Sequence, residues 1–331
     1  MKPSVLVTRA IYPEVIAHLA QYFEVDDNQQ DAVLDAAALK ARLAGKAGVL
    51  ANAADRIDAG VIAGLPALRA VCNMAVGYNN LDLPALTAAG IVATNTPDVL
   101  TETTADFGWA LLMATARRVT EAEHYLRAGK WQRWSYDMLV GMDLYGSTLG
   151  ILGMGRIGQA LARRAAGFGM NVLYHNRSQL PADTERALNA SYVSKEALLR
   201  QSDHLLLVLP YGPQSHHAIG AAELALMKPT ATLVNLARGG IVDDAALAQA
   251  LRDKRIFGAG LDVFEGEPAV HPDLLTVPNV VLTPHIASAS EKTRRAMAML
   301  AADNLIAALD QGPQAGHPPT VINPDVMPHR R

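Results

Sequence analysis

Short apolar runs alternate with amphipathic stretches along most of the chain. Val5-Leu6-Val7, Phe23-Glu24-Val25, Gly48 to Ala51, Leu68 to Val71 and Ile91 to Thr94 read as buried strands. Glu14 to Tyr22, Ala36 to Leu43, Ala59 to Leu65 and Leu83 to Ala89 read as the helices between them. A second series of strands follows at Ser147 to Leu152, Met170 to Tyr174, His204 to Leu209, Thr232 to Asn235, Gly258 to Val263 and Val280 to Thr283. One long helical pattern, from Thr101 through Arg118 and Tyr125 to about Gly129, separates the two series. A last helix is expected from Ser290 to Leu309, and the Pro- and Gly-rich tail after Gly312 reads as irregular.

Strand and helix in alternation predict parallel sheets with helices on their faces. The chain is therefore expected to be α/β, with two Rossmann-like or flavodoxin-like domains. Pro97-Asp98 marks a boundary. The simplest arrangement is a discontinuous substrate domain, residues 1–98 and 289–331, with a cofactor domain, residues 99–288, inserted into it. Substrate is expected in the cleft, at the carboxyl ends of the strands.

Composition narrows the class. The 331 residues carry a net charge of −3, and the arginine pairs are scattered, so neither nucleic acid nor a membrane surface is an expected partner. No apolar run approaches the length of a membrane span. The N-terminal residues read as a strand rather than a signal peptide, so a cytoplasmic location is expected. Cys72 is the single cysteine, which excludes an intramolecular disulfide and reads as a small buried hydrophobe.

Gly153-Met154-Gly155-Arg156-Ile157-Gly158 follows one predicted strand and opens a predicted helix. In that context the three glycines read as the turn that brings a dinucleotide pyrophosphate onto a helix N-terminus. An acid normally stands at the end of the next strand and binds the ribose of NAD. This chain has Asn176-Arg177-Ser178 there: a neutral amide, a cation and a hydroxyl donor. That set suits a 2′-phosphate, so NADPH is the expected cofactor and NADH the secondary one.

Carbonyl reduction also needs a proton donor and a cation for the substrate carboxylate. Arg238, Glu267 and His285 each follow a predicted strand and lie beside Gly or Pro. With the Asn235-to-Gly239 block, the Glu267-Pro268 block and the Pro284-His285 block following the fingerprint in order, the chain resembles the D-isomer-specific 2-hydroxyacid dehydrogenase family over essentially its whole length. The segments Asn73 to Asn80 and Val99 to Asp106 resemble its glyoxylate/hydroxypyruvate reductase and 2-ketogluconate reductase branch.

The resemblance implies that His285 is the general acid, and that Glu267 orients it and favours its protonated form. It implies that Arg238 holds the substrate carboxylate and polarises the carbonyl. Backbone N–H groups of Ala75, Val76 and Gly77 would meet the same carboxylate. Asp262 would lie near the nicotinamide amide, and Thr104 and Ser215 near the cofactor. Arg156, Ile157, Leu209, Pro210 and Ala237 complete the implied cofactor set, and His285 belongs to it too. The resemblance also implies a homodimer in which Met138 reaches a neighbouring active site.

Two departures from relatives stand out: Ala287 in place of a common glycine, and Asn79 where aspartate is frequent. Trp131 and Trp134 read as packing residues. His216-His217 reads as structural, because neighbours on a strand point to opposite faces, and no metal site is expected. The function implied is NADPH-dependent reduction of a small 2-keto acid, glyoxylate or hydroxypyruvate first. A 2-ketogluconate reductase and a non-catalytic dinucleotide sensor are the alternatives.

Overall fold

The computed structural model describes residues 2–329. They divide into two compact α/β units: residues up to Leu100 together with those from Ala289 onward, and Thr101–Ser288. The division falls two residues beyond the expected first boundary, so Val99 and Leu100 belong with the discontinuous unit.

The first unit has a five-stranded parallel sheet: β1 Ser4–Val7, β2 Glu24–Asp26, β3 Gly48–Ala51, β4 Ala70–Asn73 and β5 Val92–Thr94. Its order is β2-β1-β3-β4-β5, with every pairing parallel. Val5, Val7, Leu50 and Cys72 join one apolar layer, and Leu6, Val49, Val71 and Ala93 join the other. A strand buried on both faces needs such an unbroken apolar run. The helix Glu291–Ala308 supplies Ala301, Ala302, Leu305 and Ile306 to the first layer.

The second unit has a seven-stranded sheet: β6 Thr148–Leu152, β7 Asn171–His175, β8 Ala190–Tyr192, β9 His204–Leu207, β10 Thr232–Asn235, β11 Gly258–Leu261 and β12 Val280–Leu282. Its order is β12-β11-β10-β9-β6-β7-β8, again all parallel. The strand order reverses between β6 and β9, which makes the ends of those strands the topological switch point, where ligands bind in open α/β sheets.

Several boundaries differ from the sequence reading. β2 and β4 begin one and two residues later, and the strands expected to reach Leu209, Val263 and Thr283 stop one or two residues earlier. The residues left over form the loops that follow those strands. The long helical pattern is two helices, Thr101–Ala116 and Val119–Arg127. Arg118 between them is left-handed, at φ 54°, which no α-helix can pass through. β8 is a three-residue edge strand, too short to show a hydropathy pattern.

Candidate active site

The glycine loop joins β6 to the helix Arg156–Ala165. Gly153 has φ +105°, and a Cβ there would lie 2.8 Å from the Leu209 N. A Cβ on Gly158 would lie 2.3 Å from the Gly153 carbonyl oxygen, so the helix can start tight against the strand only with glycine. The helix begins at Arg156, so Gly158 sits inside its first turn. On the side where Gly155 would carry a Cβ there is no atom within 4 Å. The helix N-terminus starts beside that open space, and a helix N-terminus is the kind of site a pyrophosphate suits.

Asn176 locks this loop from the neighbouring strand end. Its side-chain oxygen accepts the Met154 N–H at 2.6 Å, and its own carbonyl accepts the Tyr192 hydroxyl at 3.1 Å. Arg177 and Ser178 are exposed. The next turn is tied through Tyr174, whose hydroxyl accepts the Leu180 N–H at 2.8 Å and donates to Glu185 at 2.7 Å. Burial, followed by the Glu185 hydrogen bond, pushes that phenol up to about 12.

Leu209 and Pro210 follow β9 across the switch point. Ser215 shapes the same loop: its hydroxyl accepts the Gly212 N–H at 2.8 Å and donates to the Pro210 carbonyl at 2.9 Å. Thr104 and Ala237 are buried, while Arg156 is exposed.

Arg238 stands just beyond β10. Asn235 brackets the turn, its side-chain oxygen accepting the Ala237 N–H at 3.1 Å and its amide donating to the Arg238 carbonyl at 3.0 Å. The guanidinium donates to the Ala237 carbonyl at 2.7 Å. Burial pushes Arg238 below its ordinary range, and the nearby Glu267 charge opposes that shift.

Glu267 and His285 come from the loops after β11 and β12. The His285 Nδ1 lies 2.7 Å from Glu267 Oε2, and Glu267 Oε1 accepts the Phe264 N–H at 2.9 Å. Burial pushes the Glu267 carboxyl up, but the His285 hydrogen bond and charge, the Phe264 N–H and the Arg238 charge together hold it below its ordinary range. An ionised carboxylate only accepts, so the ring donates from Nδ1 and its Nε2 is turned to other partners. His285 is also held at φ 52°, a strained backbone for a non-glycine residue.

Asp262 maintains that strain. Its oxygens accept the Thr283 hydroxyl, the Ile286 N–H and the Ala287 N–H, each at 2.8 Å, and its carbonyl accepts the His285 N–H at 2.9 Å. The side chain is fully buried. Sequence reasoning placed Asp262 beside the nicotinamide and missed this buttressing, which becomes visible only when β11 and β12 are paired. The methyl group of Ala287 is itself buried in the same turn.

In the first unit, Ala75, Val76 and Gly77 form the loop after β4. Their carbonyls accept from the Thr96 N–H at 3.0 Å, the Asn95 amide at 2.8 Å and the Asn73 amide at 3.0 Å. Three fixed peptide planes in a row make a rigid backbone cradle. Asn80 completes it by bridging the Asn52 and Asp55 carbonyls, each at 3.0 Å.

Two expectations are corrected. His216 and His217 are not on a strand: they lie in a turn, His217 at φ 48°, with their rings stacked 3.9 Å apart. The opposite-faces argument therefore does not apply to them. Trp131 and Trp134 are not buried but are 53% and 64% exposed, and the Trp134 ring meets Tyr136 edge-on at 4.5 Å, in a segment of turns and bends. Among the described residues, no helix is long and apolar enough to cross a membrane.

Residues 109–287 match the family described as D-isomer specific 2-hydroxyacid dehydrogenase, NAD binding domain. The chain belongs to that family. It is an oxidoreductase of the D-2-hydroxyacid dehydrogenase class, and its second unit is a nicotinamide-dinucleotide-binding domain. It is 48% identical over 330 residues to a glyoxylate reductase of Korarchaeum cryptofilum, covering 99% of this chain and 98% of the relative. It is 47% identical over 338 residues to a glyoxylate reductase of Aeropyrum pernix, covering 100% and 98%. Among solved structures, the dehydrogenase is similar to an NADPH-dependent glyoxylate/hydroxypyruvate reductase from Sinorhizobium meliloti in complex with NADP and malonate. That likeness has a TM-score of 0.87 and 38% identity, and covers 100% of this chain and 99% of the other.

Proposed function

We propose that this chain reduces small 2-keto acids, glyoxylate and hydroxypyruvate first, to D-2-hydroxy acids with NADPH. The observation that carries the reading is the His285–Glu267 pair at 2.7 Å, with the Glu267 carboxylate also in the field of Arg238. When bound, the reduced nicotinamide supplies the hydride. His285 gives a proton from Nε2 to the carbonyl oxygen, while Glu267 stabilises the charged ring through Nδ1. Arg238 pairs with the substrate carboxylate and draws electron density toward the carbonyl oxygen. In the first unit, the N–H groups of Ala75, Val76 and Gly77 are read as carboxylate donors. A preference for glyoxylate is supported by the names of the curated relatives.

The glycine loop and the helix at Arg156 hold the pyrophosphate, and Arg177 and Ser178 take the 2′-phosphate. Asn176 contributes indirectly, by fixing the loop through Met154. The exposed Trp131 and Trp134 are read as part of a homodimer contact, which a second copy of the chain covers.

Steady-state kinetics of wild type and Arg177→Asp, with NADPH and NADH and with glyoxylate, hydroxypyruvate and 2-ketogluconate, test the reading. Wild type should favour NADPH and the variant NADH. An unchanged preference in the variant would remove Arg177 from the phosphate site. An absence of turnover on all three keto acids would overturn the enzymatic reading.

A further inference from the structure

Outside the reductase site, three loops of the second unit converge on a cluster that the reaction does not use. His216 and His217 come from the loop after β9, Asp243 from the loop after β10 and Glu265 from the loop after β11. Each of His216, His217 and Glu265 offers a ligand atom, and these atoms all lie within 4.8 Å of one another.

The surroundings are those of metal-binding imidazoles. A ligating histidine usually has its second ring nitrogen held by a carboxylate or another oriented group. The His216 Nδ1 meets the Tyr211 hydroxyl at 3.2 Å, and the His217 Nδ1 faces Asp243 Oδ2 at 3.9 Å. Nε2 is therefore the atom each ring has left for an ion. The His217 Nε2 is already 2.8 Å from Glu265 Oε2. The rings stack at an interplanar angle of 23°, and His217 is held in the left-handed region, so adjacent residues present both rings together. Ligands around tetrahedral zinc sit about 3.3 Å apart, given bonds of about 2.0 Å. The His217–Glu265 separation of 2.8 Å is a little shorter than that value, and no pair of ligand atoms is more than 4.8 Å apart. His216 and Glu265 are exposed, so both can adjust and an ion can enter.

We propose that His216, His217 and Glu265 form a binding site for a divalent zinc-like cation, with Asp243 and Tyr211 as the groups that orient the imidazoles. Two nitrogens and a carboxylate suit a borderline cation such as Zn²⁺ better than Mg²⁺ or Ca²⁺, which prefer all-oxygen shells. The ion would cross-link loops that also carry the reductase residues. The Gly240 carbonyl, two residues past Arg238, accepts the His217 N–H at 2.7 Å, and Glu265 lies two residues before Glu267.

Calorimetric titration of the chelator-treated, dialysed full chain with ZnCl₂ tests the site, with thermal melts alongside. Wild type should take up zinc with a micromolar or tighter Kd. Its Tm should rise by roughly 5 °C at a hundredfold excess over Kd. His216→Ala and Glu265→Gln should each bind at least tenfold more weakly and lose the Tm rise, while melting normally without zinc. The His285–Glu267 pair is the competing zinc site, so His285→Ala is the control and should bind as wild type does. Zinc binding that survives both His216→Ala and Glu265→Gln, or that disappears in His285→Ala, would overturn the proposal. So would the absence of uptake by wild type at 100-micromolar-scale zinc, roughly a hundred times the expected Kd.

Discussion

Replacing Glu267 with glutamine isolates one hydrogen bond at almost constant volume. In the wild type, Glu267 Oε1 accepts the Phe264 N–H and Oε2 accepts from His285 Nδ1. Glutamine has only one acceptor oxygen. If that oxygen stays with Phe264, an NH₂ group faces Nδ1, and two donors cannot share a bond. The ring must then leave Nδ1 unprotonated, and a neutral ring with its proton on Nε2 is a far weaker acid. A charge-assisted bond is worth about 1.5–3 kcal/mol. The His285 and Glu267 side chains are 38% and 31% exposed, so solvent screening reduces the contribution to about half. The remaining roughly 0.8–1.5 kcal/mol corresponds to about a fourfold to twelvefold loss from the bond alone. Weakened proton donation carries the expected total to about 10–100-fold in the hydride-transfer rate. Stopped-flow single turnover of NADPH-loaded enzyme with glyoxylate reads that rate directly, and fluorescence titration reads NADPH affinity. NADPH affinity should stay within about twofold of wild type, because the substitution leaves the glycine loop and its Asn176 tie untouched. A hydride-transfer loss below about threefold, or an equal loss of NADPH affinity, would refute the assignment of His285 as the acid supported by Glu267.

Arg238→Ala should raise the KM for glyoxylate by about 10–100-fold and lower kcat as well, in keeping with a lost charge-assisted contact; a change confined to NADPH affinity would contradict the carboxylate role. Gly158→Val should abolish dinucleotide binding in a titration, because its Cβ would meet the Gly153 carbonyl at 2.3 Å, and near-normal binding would refute the close-approach argument. Tyr174→Phe should cost about 1–2 kcal/mol in urea unfolding and raise the KM for NADPH, since the Leu180 N–H loses its acceptor beside Arg177. Arg9 donates twice to Asp31 and holds that carboxyl down, to about 2. Because the folded value is the lower one, the pair stabilises the chain above the ordinary aspartate range, and that contribution is lost as pH falls toward 2. Asp31 is about half exposed, so Asp31→Asn should cost only about 1 kcal/mol or less at pH 7, with the gap closing between about pH 4 and pH 2 in calorimetric melts.

The fold was largely legible in the sequence, because strands buried on both faces must be continuously apolar and the helices between them must be amphipathic. That constraint marked β1, β3 and β10 almost to the residue. It failed where a local backbone choice overrode the pattern. The apolar and helix-forming residues on both sides of Arg118 read as one helix, and only the left-handed φ at Arg118 separates them. The Gly153 and Gly158 positions were legible because glycine is the residue that fits those contacts. The His216-His217 geometry was not, since a strand was assumed where the chain makes a turn.

The same distinction runs through the proposed reductase site. Arg238, Glu267 and His285 could be picked out as polar residues beyond strand ends, but what places them could not. Asn235, at the end of β10, uses its amide to set the Arg238 turn, and Asp262, just past β11, uses its carboxylate to set the His285 turn. Both are buried, at 1% and 0% exposure, where an unbonded polar group would be costly. Burial pushes the Asp262 carboxyl up, and the Ile286 N–H, Thr283 hydroxyl and Ala287 N–H oppose that shift. These donors come from the very turn that bears His285. The cost of burying the carboxylate and the strain at His285 are thus offset by one set of hydrogen bonds. A ring held this way by its supports has little room to reorient, which is the preorganisation that the proposed general-acid role requires.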